Sequence, residues 1–554
     1  MAERQQAAAV SELAATGVTS TDAVRLAQQA SFGPSEALIA QIQQAGIAGW
    51  ITTQLSASGS RFTSGGDNRI HQNMSGVSYC NQPAQQSSPT CWRDYYSSEP
   101  LLWDFYRNAT TRTDQLRQRV ALALHQILVV SAVEVSGTYG LRLYQNNLLD
   151  LAFGNYRDVL RKVLVSPVMG DYLDGVNNNP AAPNENLARE TLQLFSLGTC
   201  LLNADGTLQG GRCLPTYDNQ RVRNYAFALT GWTYPRGGSA AWKCGTASDV
   251  NCVYYGGDMV PAASLRDPAQ RSLLSGVSVP AGADAVQALE RVLDSVMQHP
   301  NIAPFMARRL IQSLVRSDPS TAYVQRVGKA FSSGRFSTTS AGRSYSFGGG
   351  SKGDLAATVA AVLLDSEARN AAEVVAAAGH LRSPILLFTG AVRALNGRTD
   401  GDALGAWWGD GLQQHVFHSP SVFSYYPPDY PVAGTARSGP EFGVHNASTA
   451  LNRLNYLKYL IDGGDVAPDP TVPKAIGTQV KLTAFSSSAA DAGALVDRMA
   501  AIVLGRPLAG EPRAKVVAAV EWWTSARAPD DWRTRRVAAA AYLVMASPDY
   551  QVQR

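Results

Sequence analysis

The chain has 554 residues, of which 45% are hydrophobic and 17% charged, and its formal net charge is +4. That length exceeds the usual reach of one compact core, so the expectation is one large domain over 1–554, with 1–275 and 276–554 as its natural halves. So small a charge, with no basic run carrying interleaved aromatics, excludes a nucleic-acid partner, and no run of about 18 apolar residues marks a membrane span.

In chain order, the opening MAERQQAAAVSEL has no apolar signal core, and reads as a start placed after a removed signal. Apolar residues then recur at helical spacing over 22–30, 35–44, 46–56, 99–107, 113–133, 142–152, 155–164, 185–197 and 219–230. The second half repeats the pattern at 284–298, 301–315, 319–332, 353–364, 381–395, 446–461, 490–503, 511–525 and 531–546. Strand signals are short and local. The Gly/Ser-rich stretches 57–67 and 333–352 read as exposed loops, and 397–445, rich in Gly, Pro and aromatics, reads as a long ordered loop. The predicted class is all-α: a large multihelical domain with disulfide-braced loops and minor β-hairpins, the α/α-toroid of carbohydrate enzymes being one such arrangement.

Six cysteines fall in three local pairs, Cys80/Cys91, Cys200/Cys213 and Cys244/Cys252. Fifteen pairings are open to six cysteines, and nearest-neighbour bonding is the economical one, because each pair brackets a short loop. The segment GTCLLNADGTLQGGRCL has turn chemistry at Asn203 to Gly206 between two short arms, and reads as a hairpin. No C-x₂-C spacing supports zinc. Disulfides in turn imply an oxidising compartment, periplasmic or extracellular.

The densest chemistry lies between Asp171 and Gly198. Pro183 stops what precedes it, Asn184 can cap a helix, and Glu185 and Asn186 would sit in its first turn. At 100° per residue, Glu185, Asn186, Arg189, Glu190 and Gln193 share one polar arc, with Leu187, Ala188, Thr191, Leu192, Leu194 and Phe195 opposite. A solvated face carrying a Glu185/Arg189 pair would look the same. The Asn/Asp loop before it suits a site, unless its side chains bond its own backbone.

The segment NENLARETLQLFSLG (184–198) resembles the signature of a large bacterial family catalogued as domain of unknown function 1800. RQRVALALHQILVVS (117–131), SPVMGDYLD (166–174), TYDNQRVRNYAFALTGW (216–232) and SPSVFSYYPPDYPVAG (419–434) are similar to the family in the same order, and the resemblance covers nearly the whole chain. The family name implies no activity. One departure is the lack of a histidine in YYGGDMVPAASLRD (254–267).

Two function classes follow. The first is a glycan-acting enzyme, a glycoside hydrolase working through paired carboxylates drawn from Glu185, Asp174 and Glu190. Arg189 would orient or acidify a carboxylate, Asn186 and Asn178 would bond sugar hydroxyls, and Tyr172, Trp232, Tyr425 and Tyr426 would offer stacking faces. The second class is a non-catalytic envelope or polysaccharide-binding protein using the same groove. Either takes a carbohydrate polymer as partner, and neither calls for a cofactor or metal. Three weaker patterns are set aside. Gly349–Gly353 matches G-x-S-x-G after a flexible segment, His415/His418/His445 lie in a loop, and His125 reads as a core histidine. Arg117 and Arg119 are expected to reach a carboxylate, Glu185 or Glu190.

Overall fold

A computed structural model describes residues 17–72, 76–238, 247–370, 379–402, 405–463 and 465–553. Several of its helices begin where short polar side chains take up the free N–H groups of a first turn. Thr19 accepts from Asp22 N at α1 (Ser20–Ala30), and Ser35 from Leu38 N at α2 (Glu36–Ala45), followed by α3 (Ile47–Ser56). After α4 (Glu99–Thr111), α5 (Gln115–Ile127) and α6 (Thr138–Leu151), Asn155 caps α7 (Tyr156–Leu164) through Arg157 N. The helices α8 (Pro167–Tyr172), α9 (Asn186–Gln193) and α10 (Asn219–Ala228) complete the first half. A full capping box of Asp284 and Gln287 opens α11 (Ala285–Gln298). Then come α12 (Ile302–Leu314), α13 (Thr321–Ser333), α14 (Leu355–Leu364), α15 (Pro384–Ala394), α16 (Ala447–Gly463), α17 (Ala492–Leu504), α18 (Gly510–Glu521) and α19 (Trp532–Ala546).

The all-α reading holds, and the strands are two-stranded antiparallel pairs. Three local expectations are corrected. The helix expected over 113–133 stops at Ile127, where the β-branched run Val129–Val130 follows and the Leu128 carbonyl accepts from the Tyr144 hydroxyl at 2.6 Å. The stretch 333–352 contains a hairpin, Phe336–Ser340 paired with Arg343–Phe347, turning at Ala341 and Gly342, both at positive φ. Alternation of bulky and small residues there was hidden by its Gly/Ser content. Nor is 57–67 an exposed loop throughout. Ser60 and Ser64 are buried, and their backbone N–H groups donate to Asp114 at 2.8 Å and Asp104 at 2.7 Å.

The disulfides Cys80–Cys91 and Cys200–Cys213 form as expected. Cys252 is also disulfide-bonded, and its expected partner Cys244 lies outside the described residues. The 199–216 segment is the expected hairpin, with Asn203 N donating to Thr207 O at 2.8 Å. Asn301, at the start of α12, docks it by bonding the backbone of Leu197, Leu202 and Cys200.

Packing brings distant segments together. In α1 every residue from Ala23 to Ala30 is buried, and the helix touches α5, α14 and α17. Two of its polar members find partners inside: Gln28 donates to Val503 O at 2.8 Å and Arg25 bonds Asp22 and the Arg369 carbonyl. Just after α1, Gly33 (φ 128°) lies against Gly390 of α15, and a Cβ on Gly33 would stand 2.4 Å from the Gly390 Cα. Close to the C-terminus, Val552–Gln553 pairs with His380–Leu381. A single cluster of buried hydrophobic residues runs from Ala23 to Tyr550 and crosses the 275/276 division. Among the described residues no helix is long and apolar enough to cross a membrane.

Candidate functional site

The Asn/Asp loop largely builds itself. Asp174 (φ 53°) and Asn177 (φ 55°) take the left-handed conformation that Asx side chains tolerate. Asn178 Oδ1 accepts from Asn184 N at 2.9 Å, Asn179 Oδ1 from Ala181 N at 3.1 Å, and Asn184 Oδ1 from Asn186 N at 2.8 Å. Asn177 N donates to Trp232 O at 2.8 Å, which ties the loop to the strand Trp232–Thr233. The loop chemistry is therefore that of a self-bonded turn. Asn178, expected to bind substrate, is buried with both ends of its carboxamide engaged by Asn184.

The helix α9 then presents the expected polar arc, while Leu187, Ala188, Thr191 and Leu192 are buried. Glu185 and Arg189 form the i,i+4 ion pair at 2.8 Å, half-exposed on both sides. Asp174 is exposed, and its Oδ2 accepts from Asn186 Nδ2 at 2.7 Å. Glu190 differs from both. It is half-buried, its Oε2 is buried with no hydrogen-bond partner, and burial pushes its pKa up against the lowering effect of Arg189. Its charge reaches the hydroxyls of Tyr172 and Tyr217, and Tyr217 is pushed up to about 12, burial being the larger cause.

The Tyr172 hydroxyl also lies in the field of Glu134, which the sequence reading did not single out. Glu134 is exposed on the turn after α5, and that turn is tied to the long loop: Ala132 N donates to Phe417 O at 2.9 Å and Ser131 Oγ to Ser419 O at 2.7 Å. Beneath it Asp171 accepts from the hydroxyls of Tyr234 and Tyr255. Of the aromatic candidates, Tyr172, Trp232 and Tyr425 are only 7%, 5% and 8% exposed, which leaves little ring face for a sugar. Tyr425 is a core residue whose hydroxyl donates to His415 O at 2.5 Å.

Tyr426 lines a second locus, which collects side chains from five segments. Arg119 of α5, Arg309 and Gln312 of α12, His380, Glu441 and Tyr426 surround a cavity with about 40 Å³ of space for water. His380 Nδ1 stands 3.2 Å from Glu441 Oε1, and Ser317 Oγ donates to Glu441 Oε2 at 2.8 Å. Burial pushes Glu441 up to about 7 and drives His380 down. Arg119 does not meet Glu185 or Glu190. It donates to Ser313 O at 3.2 Å, while Arg117 bonds the carbonyls of Leu55, Ala57 and Leu149. Helix C-termini and loop carbonyls offered partners that sequence spacing could not reveal. His125 is buried in the core as expected, with Nδ1 3.0 Å from Gln145 Nε2 and Nε2 unpartnered. His415 and His418 stack at 3.9 Å between ring centroids and meet Asp410 and Ser98.

The chain belongs to the family described as Protein of unknown function (DUF1800), whose family model matches residues 25–552. Comparison with curated proteins and with solved structures yields no match.

Proposed function

We propose that the protein is an extracytoplasmic glycan-acting hydrolase with Glu190 as its general acid. The observation that carries this reading is the state of Glu190: half-buried, raised in pKa, with a buried oxygen that nothing engages. A carboxyl whose pKa is raised by its surroundings suits the leaving-group side of glycosidic cleavage. An ionised partner comes from Asp174, across the Asn186 bond, or from Glu134, whose field meets that of Glu190 at Tyr172. Glu185 serves as a positioning residue, since Arg189 already neutralises it. The disulfides support a compartment outside the cytoplasm.

A second reading is a polysaccharide-binding protein without catalysis. The internal engagement of Asn178 and Asn184 and the covered rings favour it, because they fit a structural network. One experiment separates the two. Glu190→Gln, Asp174→Asn and Glu134→Gln are assayed for sugar release on a glycan panel, with thermal melts as a folding control. Loss of roughly 10²-fold or more in Glu190→Gln, at an unchanged melt, is expected for a general acid. Parental rates in all three variants would end the catalytic assignment. A parent that retains a glycan on an affinity gel but releases nothing supports the binding reading.

A further inference from the structure

The cavity between α5, α12 and the long loop has more donors than its own residues use. Arg119 is 3% exposed and its Nε is buried without a partner. Arg309 is half-buried, and its Nε is likewise buried and unpartnered. Neither guanidinium forms a salt bridge with a carboxylate among the described residues. The remaining charges do not balance them. Glu441 is occupied by Ser317 and His380, and Asp429 acts on Arg309 only through its field, from an exposed position. His380 Nδ1 stands 3.2 Å from Glu441 Oε1, and its Nε2 is buried and unpartnered as well.

The wall continues into the first turn of α15, where Ser383 caps the helix without a side-chain hydrogen bond, and where Ser383 and Leu386 border the cavity. Pro384 brings no N–H there and Ile385 N donates to Gln414 Oε1 at 3.0 Å, so the helix start adds mainly its positive dipole end. Buried guanidinium is unfavourable unless something negative meets it. Two unpartnered guanidinium N–H groups and an unpartnered imidazole nitrogen border one small polar space, which fits a planar or tetrahedral anion whose oxygens accept only.

We propose that this cavity is a binding site for an oxyanion group, phosphate or sulfate in size, held by Arg119, Arg309 and His380 at the N-terminus of α15. The group is either a free inorganic anion or the end of a small monoester. The site is independent of the Glu190 locus, and its failure would leave the glycan reading untouched.

Thermal melts and titration calorimetry on the whole chain test it. The probes are inorganic phosphate, sulfate and a small phosphate monoester, with sodium chloride at matched ionic strength as control. A melting midpoint that climbs with the logarithm of phosphate concentration, and not with chloride, is expected. Binding of the monoester alone would identify the terminal-group source, and binding of phosphate would identify the free anion. Arg309→Met should weaken binding roughly 10–100-fold, the loss of a charge-assisted bond. Arg309→Lys, which keeps the charge but not the fork, should also bind more weakly and guards against misfolding of the first variant. A parent indifferent to every oxyanion, or a folded Arg309→Lys that binds as the parent does, overturns the proposal.

Discussion

At the scale of single residues, the sequence shows which side chains are unusual but not what they face. Glu190 sits on the polar arc that periodicity assigns to it, yet Glu185, one turn earlier on the same arc, is a half-exposed ion pair. The two differ in burial: Glu190 Oε2 is buried and unpartnered, and its charge reaches Tyr172 and Tyr217. Asp104 and Asp114 drew no attention in the sequence, because a buried aspartate looks like any other. Asp114 accepts from Ser60 N, Ser60 Oγ and Gln118 Nε2, so it holds the 57–67 segment in the core. Asp114→Ala is expected to lower stability by about 3 kcal/mol, since it leaves buried donors unmet. Urea melts of the two proteins check this, and a change under about 0.5 kcal/mol, the level of an ordinary surface substitution, would refute it.

At the scale of elements, caps and periodicity placed most helices within a few residues. They failed where the local pattern competes with long-range demands. The 113–133 helix ends early because the Leu128 carbonyl is needed by Tyr144. Composition misread the 336–347 hairpin, because Ser and Thr in alternation serve a strand as readily as a loop. Contacts between elements were not legible at all, and Gly33 is an example. Its φ of 128° and the approach of Gly390 leave no room for a side chain, and the Gly33 carbonyl accepts from Arg393 Nε at 2.8 Å. Gly33→Ala should therefore destabilise the join of α1 and α15 by about 2 kcal/mol or more, combining strain and overpacking. Circular dichroism melts of Gly33→Ala beside an exposed-glycine control such as Gly276→Ala measure it. Equal shifts in the two would sink the close-approach argument.

At the scale of the whole molecule, buried titratable groups set opposing pH dependences. Burial raises Glu441 from 4.5 to about 7, so its contribution is full below pH 4.5 and is lost as pH rises through 7, a span of about 3 kcal/mol. Burial lowers His125 from 6.5 to about 4, so its contribution is full above pH 6.5 and is lost as pH falls through 4, by a similar amount. The two nearly offset each other between pH 4.5 and 6.5. Removing one should expose the other. The stability of the parent relative to Glu441→Gln is expected to fall by about 3 kcal/mol from pH 4.5 to pH 8. Denaturant melts at both values test this, and a difference that is the same at both pH values contradicts a buried, proton-holding Glu441.

The sequence by itself determined the all-α class, the family, the two described nearest-neighbour disulfides and the polar arc of α9. Each of these is encoded over a few residues or one helical repeat, within reach of hydrogen bonds and side-chain periodicity. Only the tertiary structure decided which carboxylate is covered, that Arg119 turns to Ser313 rather than to α9, and that Arg309, His380 and Glu441 meet it around one cavity. Those residues lie as far apart as 119 and 441 in the chain. Their meeting depends on how whole helices pack, and so do burial and the pKa shifts that follow from it.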